Sequence, residues 1–194
     1  MARRVYFGFD YEDVADFRAN VVRNHWRTKE HRNVAGFFDA SLWERAISQG
    51  DLAIKRLINR GLRRTSVTCI LIGSETYQRP WVRYEILKSF KKGSGILAVH
   101  INSIPCKNQR TKPRGPNPLD HVGVAYSYSG LTATLYEKID GRWKPYYGLG
   151  GSGSFRIEPI ALKHRGREYS LSELFPTHDW AREGGYENFS RWLV

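Results

Sequence analysis

The chain has 194 residues, 41% hydrophobic and 13% aromatic, which places it among folded globular proteins and excludes a disordered one. Its 31 Lys and Arg against 19 Asp and Glu leave a net charge of +12, a balance that attracts polyanions and phosphate-bearing small molecules. No apolar run approaches the roughly 18 residues of a membrane span, and Cys69 and Cys106 alone make neither a disulfide framework nor a zinc site.

The first half alternates strand-like and helix-like segments. Arg4 to Phe9 reads as a strand that ends on Gly8 and the acidic Asp10. It starts within a few residues of Met1 with no leader pattern before it, so a cytoplasmic protein is expected. From about Asp13 to Trp26, apolar residues at Val14, Phe17, Val21, Val22 and Trp26 fit helical spacing. Gly36 to Ala40 reads as a short second strand followed by a polar loop. Asp51 to Leu62 repeats the helical pattern. Val67 to Ile72 is a β-branched apolar run of the kind buried on both faces. A helix is expected from Pro80 to about Lys92, with Pro80 at its first position, where the missing N–H is no loss. Ile96 to Ile101 is the next strand. This alternation predicts an α/β fold: a parallel sheet of about five strands flanked by helices.

After Asn102 the character changes. Pro105 to Pro118 reads as a long surface loop, rich in Pro, Gly, Lys and Arg. Leu131 to Ile139 and Arg142 to Tyr146 flank Asp140-Gly141, a hairpin signal. Gly148 to Ser154 lacks the GK[ST] ending of a phosphate cradle and reads as a flexible connection. Trp180, Phe189, Trp192 and Leu193 are available to pack on the sheet. There is no internal repeat, and the whole of 1–194 reads as one domain, a core of about 3–102 carrying an elaboration over 103–194.

The residues most suggestive of a site are Trp81 and Glu85. Four apart on one helix, they share a face just past the C-terminal end of a strand, the edge where α/β sheets bind ligands. The plainer reading is a core Trp and a Glu favoured near a helix start by the macrodipole. Lys and Arg are dispersed, densest at Arg60 to Arg64 and Lys163 to Arg167, with no nucleic-acid-binding motif. The six His residues show no ligand spacing, so no metal is expected.

Four segments in order resemble a TIR domain, in particular the TIR-like proteins of the bacterial Thoeris anti-phage system, the ThsB type. Val5 to Tyr11 resembles the first strand and its loop. Phe37 to Trp43 resembles the second strand and the start of the so-called BB loop. Thr65 to Ser74 resembles the third strand, and Trp81 to Ile86 the Trp…Glu signature opening the next helix. Gly115 to Pro118 and the Trp143 hairpin resemble the Thoeris elaboration. Two positions depart from the common pattern, Val82 for Cys and Gly8 for Ser.

This resemblance implies a flavodoxin-like fold and an enzyme that cleaves the nicotinamide–ribose bond of NAD. NAD is then the substrate, and no separate cofactor is expected. Cyclisation of ADP-ribose would yield a diffusible signal for a partner effector protein. The catalytic glutamate maps onto Glu85. The resemblance further implies substrate contacts from Phe7, Gly8, Phe9, Asp10, Tyr11, Asp39, Ser41, Leu42, Trp43 and Trp81. Phe7 is the one best read as ordinary core, and Asp10 and Asp39 read equally as helix caps. Self-assembly through TIR surfaces and a phage-derived trigger are implied as well. Neither specific nucleic-acid binding nor a membrane is expected. Two alternatives stay open: a non-catalytic assembly module and a nucleoside deoxyribosyltransferase-like enzyme.

Overall fold

The computed structural model describes residues 4–27 and 40–193. Its centre is a parallel sheet in the order β1 (Val5–Gly8), β2 (Val67–Ile72), β3 (Gly95–His100) and a short last strand, β9 (Thr177–Asp179). Register pairs Gly8 with Ile70, Ile70 with Ala98, and His100 with Asp179. Every β2 residue is buried, as the continuous apolar run requires when helices cover both faces. Each fully buried Ile or Leu there contributes roughly 1.5–3 kcal/mol through area removed from water.

Strand alternation sorts the core into two layers. Val5, Phe7, Cys69, Leu71, Leu97 and Val99 face one side, against α2 (Arg18–Arg27) and α6 (Gly185–Trp192). Trp180, Phe189 and Leu193 pack there as their sequence positions suggest. Tyr6, Ile70, Ile72, Ile96 and Ala98 face the other side, against α4 (Asp51–Leu62) and α5 (Pro80–Lys92). Pro80 occupies the first turn of α5, and Gly93, at φ 76°, ends it in the left-handed conformation.

Two expectations are corrected. The helix over 13–26 is split into α1 (Tyr11–Ala15) and α2, because Phe17 sits at φ 68°. Residues Ala40–Ser48 form a helix, α3, where a polar loop was expected; its Trp43 and Ala46 pack on the α4 and α5 side of the core. The strand expected at Gly36–Ala40 lies outside the described residues, apart from Ala40, which opens α3.

The elaboration builds a second, antiparallel sheet. Strands β4 (Val122–Tyr126), β5 (Thr132–Ile139), β6 (Arg142–Pro145) and β8 (Glu168–Ser170) run in the order β6-β5-β4-β8, and β7 (Ser154–Arg156) also pairs with β5. Asp140 and Gly141 both take positive φ, the turn that joins β5 to β6. Val122, Val124, Ala133 and Leu135 enter the same cluster as Val82, Ile86 and Leu87 of α5. Residues 102–117 contain neither helix nor strand, but they are anchored. Buried Arg18 donates to the carbonyls of Ile104 and Arg110, and Lys112 pairs with Asp16 at 2.5 Å. No helix among the described residues is long and apolar enough to cross a membrane.

Candidate active site

Helix α5 runs back beneath the sheet from its C-terminal edge, so its second turn passes under the end of β1. Glu85 projects from that turn toward the strand and is only 6% exposed. Gly8 makes room for it. A Cβ at position 8 would stand 2.5 Å from Glu85 Oε2 and 2.8 Å from Ile70 Cδ1. Tyr6 lies two residues earlier on the same face of β1, and its hydroxyl donates to Glu85 Oε1 in a short hydrogen bond. Oε2 is buried with no hydrogen-bond partner among the described residues. Such an atom costs stability unless something supplies what it lacks.

The electrostatics follow from this enclosure. Burial pushes the Glu85 carboxyl from 4.5 up to about 8, against the opposing pull of the Tyr6 hydrogen bond, which favours the charged form. The Tyr6 hydroxyl is driven well above 10 by burial and by the adjacent carboxylate. A carboxyl poised near neutrality at a sheet's C-terminal edge is an arrangement suited to catalysis.

Around it the edge is polar. Asp10 holds the N-cap position of α1, yet its side chain makes no capping bond; it accepts from Arg79 Nε at 2.7 Å instead. Asp13 is 2% exposed, and burial, opposed by Lys112, raises its pKa to about 6. These two carboxylates line a cavity of about 480 Å³ with Tyr77, Lys112 and Arg114. Gly115 closes it by direct backbone approach, since a Cβ there would lie 2.2 Å from the Gly73 carbonyl oxygen. At the end of β3, burial and Arg114 lower the His100 pKa to about 4, which keeps that imidazole neutral.

The structure brings together Glu85, Gly8 and Tyr6, with Asp10 two residues on. Trp81 is partly buried one turn before Glu85, its ring 6.3 Å from that of Tyr84. Phe7 and Phe9 pack on the opposite layer. Phe7 stacks on Phe189 at 6.1 Å, and the Phe9 ring lies beneath Arg23. Tyr11 is 41% exposed, with its hydroxyl 3.4 Å from Glu44 Oε1. Leu42 is exposed and Trp43 partly buried on α3. Ser41 belongs to the same helix, and Asp39 lies outside the described residues. Sequence reasoning passed over Tyr6 and Arg79. Tyr6 had a signal, the i, i+2 relation to Gly8; Arg79 had only its place before Pro80. Among the described residues no three His, Cys, Asp or Glu side chains come together as a metal site.

Comparison with known proteins places the chain in a family. The family described as "Thoeris protein ThsB, TIR-like domain" matches residues 6–105. A protein of Bacillus cereus (strain MSX-D12), named "Putative cyclic ADP-D-ribose synthase ThsB1", is 51% identical over 193 residues, spanning 100% of both chains. The match takes in the strand that carries Gly8 and the helix that carries Glu85, and the relative extends it through the antiparallel sheet. The chain belongs to the ThsB family of Thoeris TIR-like proteins.

Proposed function

We propose that this chain is a Thoeris TIR enzyme that cleaves the nicotinamide–ribose bond of NAD and closes the ADP-ribose portion into a cyclic signal, with Glu85 as its catalytic carboxylate. The relative's name supports the product class. The observation that carries the reading is the Glu85 carboxyl: buried, held by Tyr6 on one oxygen and without a partner among the described residues on the other. An assembly module has no use for an acid group kept in that state, which favours an enzyme over a non-catalytic partner.

The chemistry suits these residues. The bond between the ribose carbon and the ring nitrogen breaks, and its electron pair goes to the nitrogen. Nicotinamide therefore leaves neutral and needs no general acid. Positive charge develops on the ribose, where the Glu85 carboxylate stabilises it in a water-poor setting. A hydroxyl of the adenosine ribose then attacks the cationic carbon and closes the ring. Its proton passes to Glu85, whose pKa near 8 makes it a competent acceptor. NAD enters with a positive nicotinamide ring, which favours the ionised form of Glu85 as substrate binds. The signal acts on a separate effector protein, while self-assembly and a phage-derived trigger complete the proposed system.

The test is to incubate the purified chain with NAD, alone and with lysate of phage-infected cells, and to resolve products by chromatography and mass spectrometry. Free nicotinamide with a product lighter than ADP-ribose by one water supports the reading. Intact NAD in both arms overturns it. A nucleoside-transferring enzyme would instead exchange bases on a simple nucleoside and leave NAD untouched.

A further inference from the structure

Away from Glu85, helices α3 and α4 line an open surface groove of about 550 Å³. Four exposed arginines line it: Arg45 from α3, and Arg56, Arg60 and Arg63 from α4 and its C-cap. The last three fall at i, i+4 and i+7, on one helical face. Among the described residues, no acidic side chain lines the groove. None of the four arginines takes part in an ion pair among the described residues. A helix end accounts for a cation in its last turn. It does not account for four guanidinium groups around one depression with no carboxylate among its described lining residues. Like charges on successive turns repel, so the arrangement is one that a bound anion relieves.

We propose that this groove is a binding site for a compact oligophosphate of the kind carried by a nucleoside triphosphate. Guanidinium groups match phosphate oxygens in paired hydrogen bonds. Four of them balance the roughly four negative charges of a triphosphate chain near neutral pH. Along α4 the stripe covers only about 10 Å, seven residues at 1.5 Å each, which is a cluster rather than a track for a nucleic-acid backbone. The volume falls in the range of about 300–1,000 Å³ usual for small-molecule sites. Gln49 and Asn59 add amide groups to the lining, above the apolar Ala46 and Leu57. Asn59 Oδ1 also accepts from the Tyr84 hydroxyl at 3.2 Å, so the groove shares a hydrogen bond with the residue that precedes Glu85.

Thermal melting and calorimetry, at about 150 mM salt and fixed ionic strength, test this with tripolyphosphate, ATP, AMP and a single-stranded oligonucleotide. Saturable binding and a raised melting temperature are expected for both tripolyphosphate and ATP. AMP should bind at least about tenfold more weakly, having lost most of the charge-assisted hydrogen bonds. The doubly substituted R56Q/R60Q protein should fold normally, because both positions are exposed, and should lose at least about tenfold in affinity for tripolyphosphate. Its cleavage of NAD without added anion should equal the parent's. A shift reproduced by matched sodium chloride overturns the proposal. So does equal binding by R56Q/R60Q, binding of ATP without tripolyphosphate, or an oligonucleotide that binds more tightly than ATP.

Discussion

Replacing Glu85 by Gln keeps the shape of the side chain and an oxygen to accept from Tyr6, and removes only the titrating charge. Its effect on stability has a definite sign. The folded carboxyl has a pKa of about 8, against 4.5 ordinarily. Between those values the native protein holds a proton that the unfolded chain has released, so the parent loses stability as pH rises from 4.5 to 8 and loses no more above it. At about 1.4 kcal/mol per pH interval, the ceiling on that loss is about 5 kcal/mol. The Gln variant has no such loss. It should melt with the parent at pH 4.5 and above it at pH 9, where each kcal/mol is worth about 2–4 °C for a chain of this size. A gain of several degrees at pH 9 is therefore expected. Product formation from NAD should fall by on the order of a hundredfold or more, the scale of losing one transition-state-stabilising group. Melting curves at the two pH values and a chromatographic assay on the same preparation decide the matter. A variant that turns over NAD at the parent's rate, or one less stable than the parent at pH 9, refutes the reasoning.

Three further outcomes follow from the same geometry. On the proposed mechanism the carboxylate is the working form, so kcat/KM for NAD should rise with pH and level off above about 8, with the kcat limb at lower pH, since bound NAD favours ionisation; a flat profile from pH 6 to 9 would remove Glu85 from the rate expression. Tyr6→Phe deletes the hydrogen bond that favours the charged form, so its limb should move to higher pH. About tenfold of activity should then be lost at pH 6.5 and regained in alkaline buffer, which pH-rate profiles of the two proteins would show. Gly8→Ala places a methyl group 2.5 Å from Oε2; turnover should fall by ten- to a hundredfold, roughly the cost of misplacing a catalytic group by an ångström. Its melting temperature should change by only a few degrees, because the atoms that must yield are the ends of two side chains.

What the sequence made legible was local. The β-branched run of β2, Pro80 at the start of α5 and the Asp140-Gly141 turn each encode their structure within a few residues, and each formed where expected. The two parallel neighbours β2 and β3 could be read for the same reason. Phe17 is different: a bulky residue at φ 68° carries no sequence mark, and the break it makes depends on Arg18 turning inward to bind the carbonyls of Ile104 and Arg110, far along the chain. Thr177–Asp179 has no strand composition and is a strand only because it pairs with Ala98–His100. The site divides in the same way. Spacing from Trp81 singled out Glu85, but its enclosure depends on Tyr6, 79 residues away, and on the missing side chain at Gly8. Long-range contacts of this kind leave no periodicity to read.

Helix α5 is pressed between two sheets. Its inner side meets β1 and β2, while Arg83 reaches Glu137 of β5 at 3.3 Å, Phe90 meets Phe175 edge-on, and Val82 and Leu87 share a cluster with Val122 and Leu135. The segment that matches the family, residues 6–105, therefore stops short of the surface that covers the helix carrying Glu85. Cut at that border, the fragment would present a greasy, aggregation-prone flank to water and lose its grip on the Glu85 turn. In engineering terms the unit that can be moved, fused or swapped between relatives takes in both sheets.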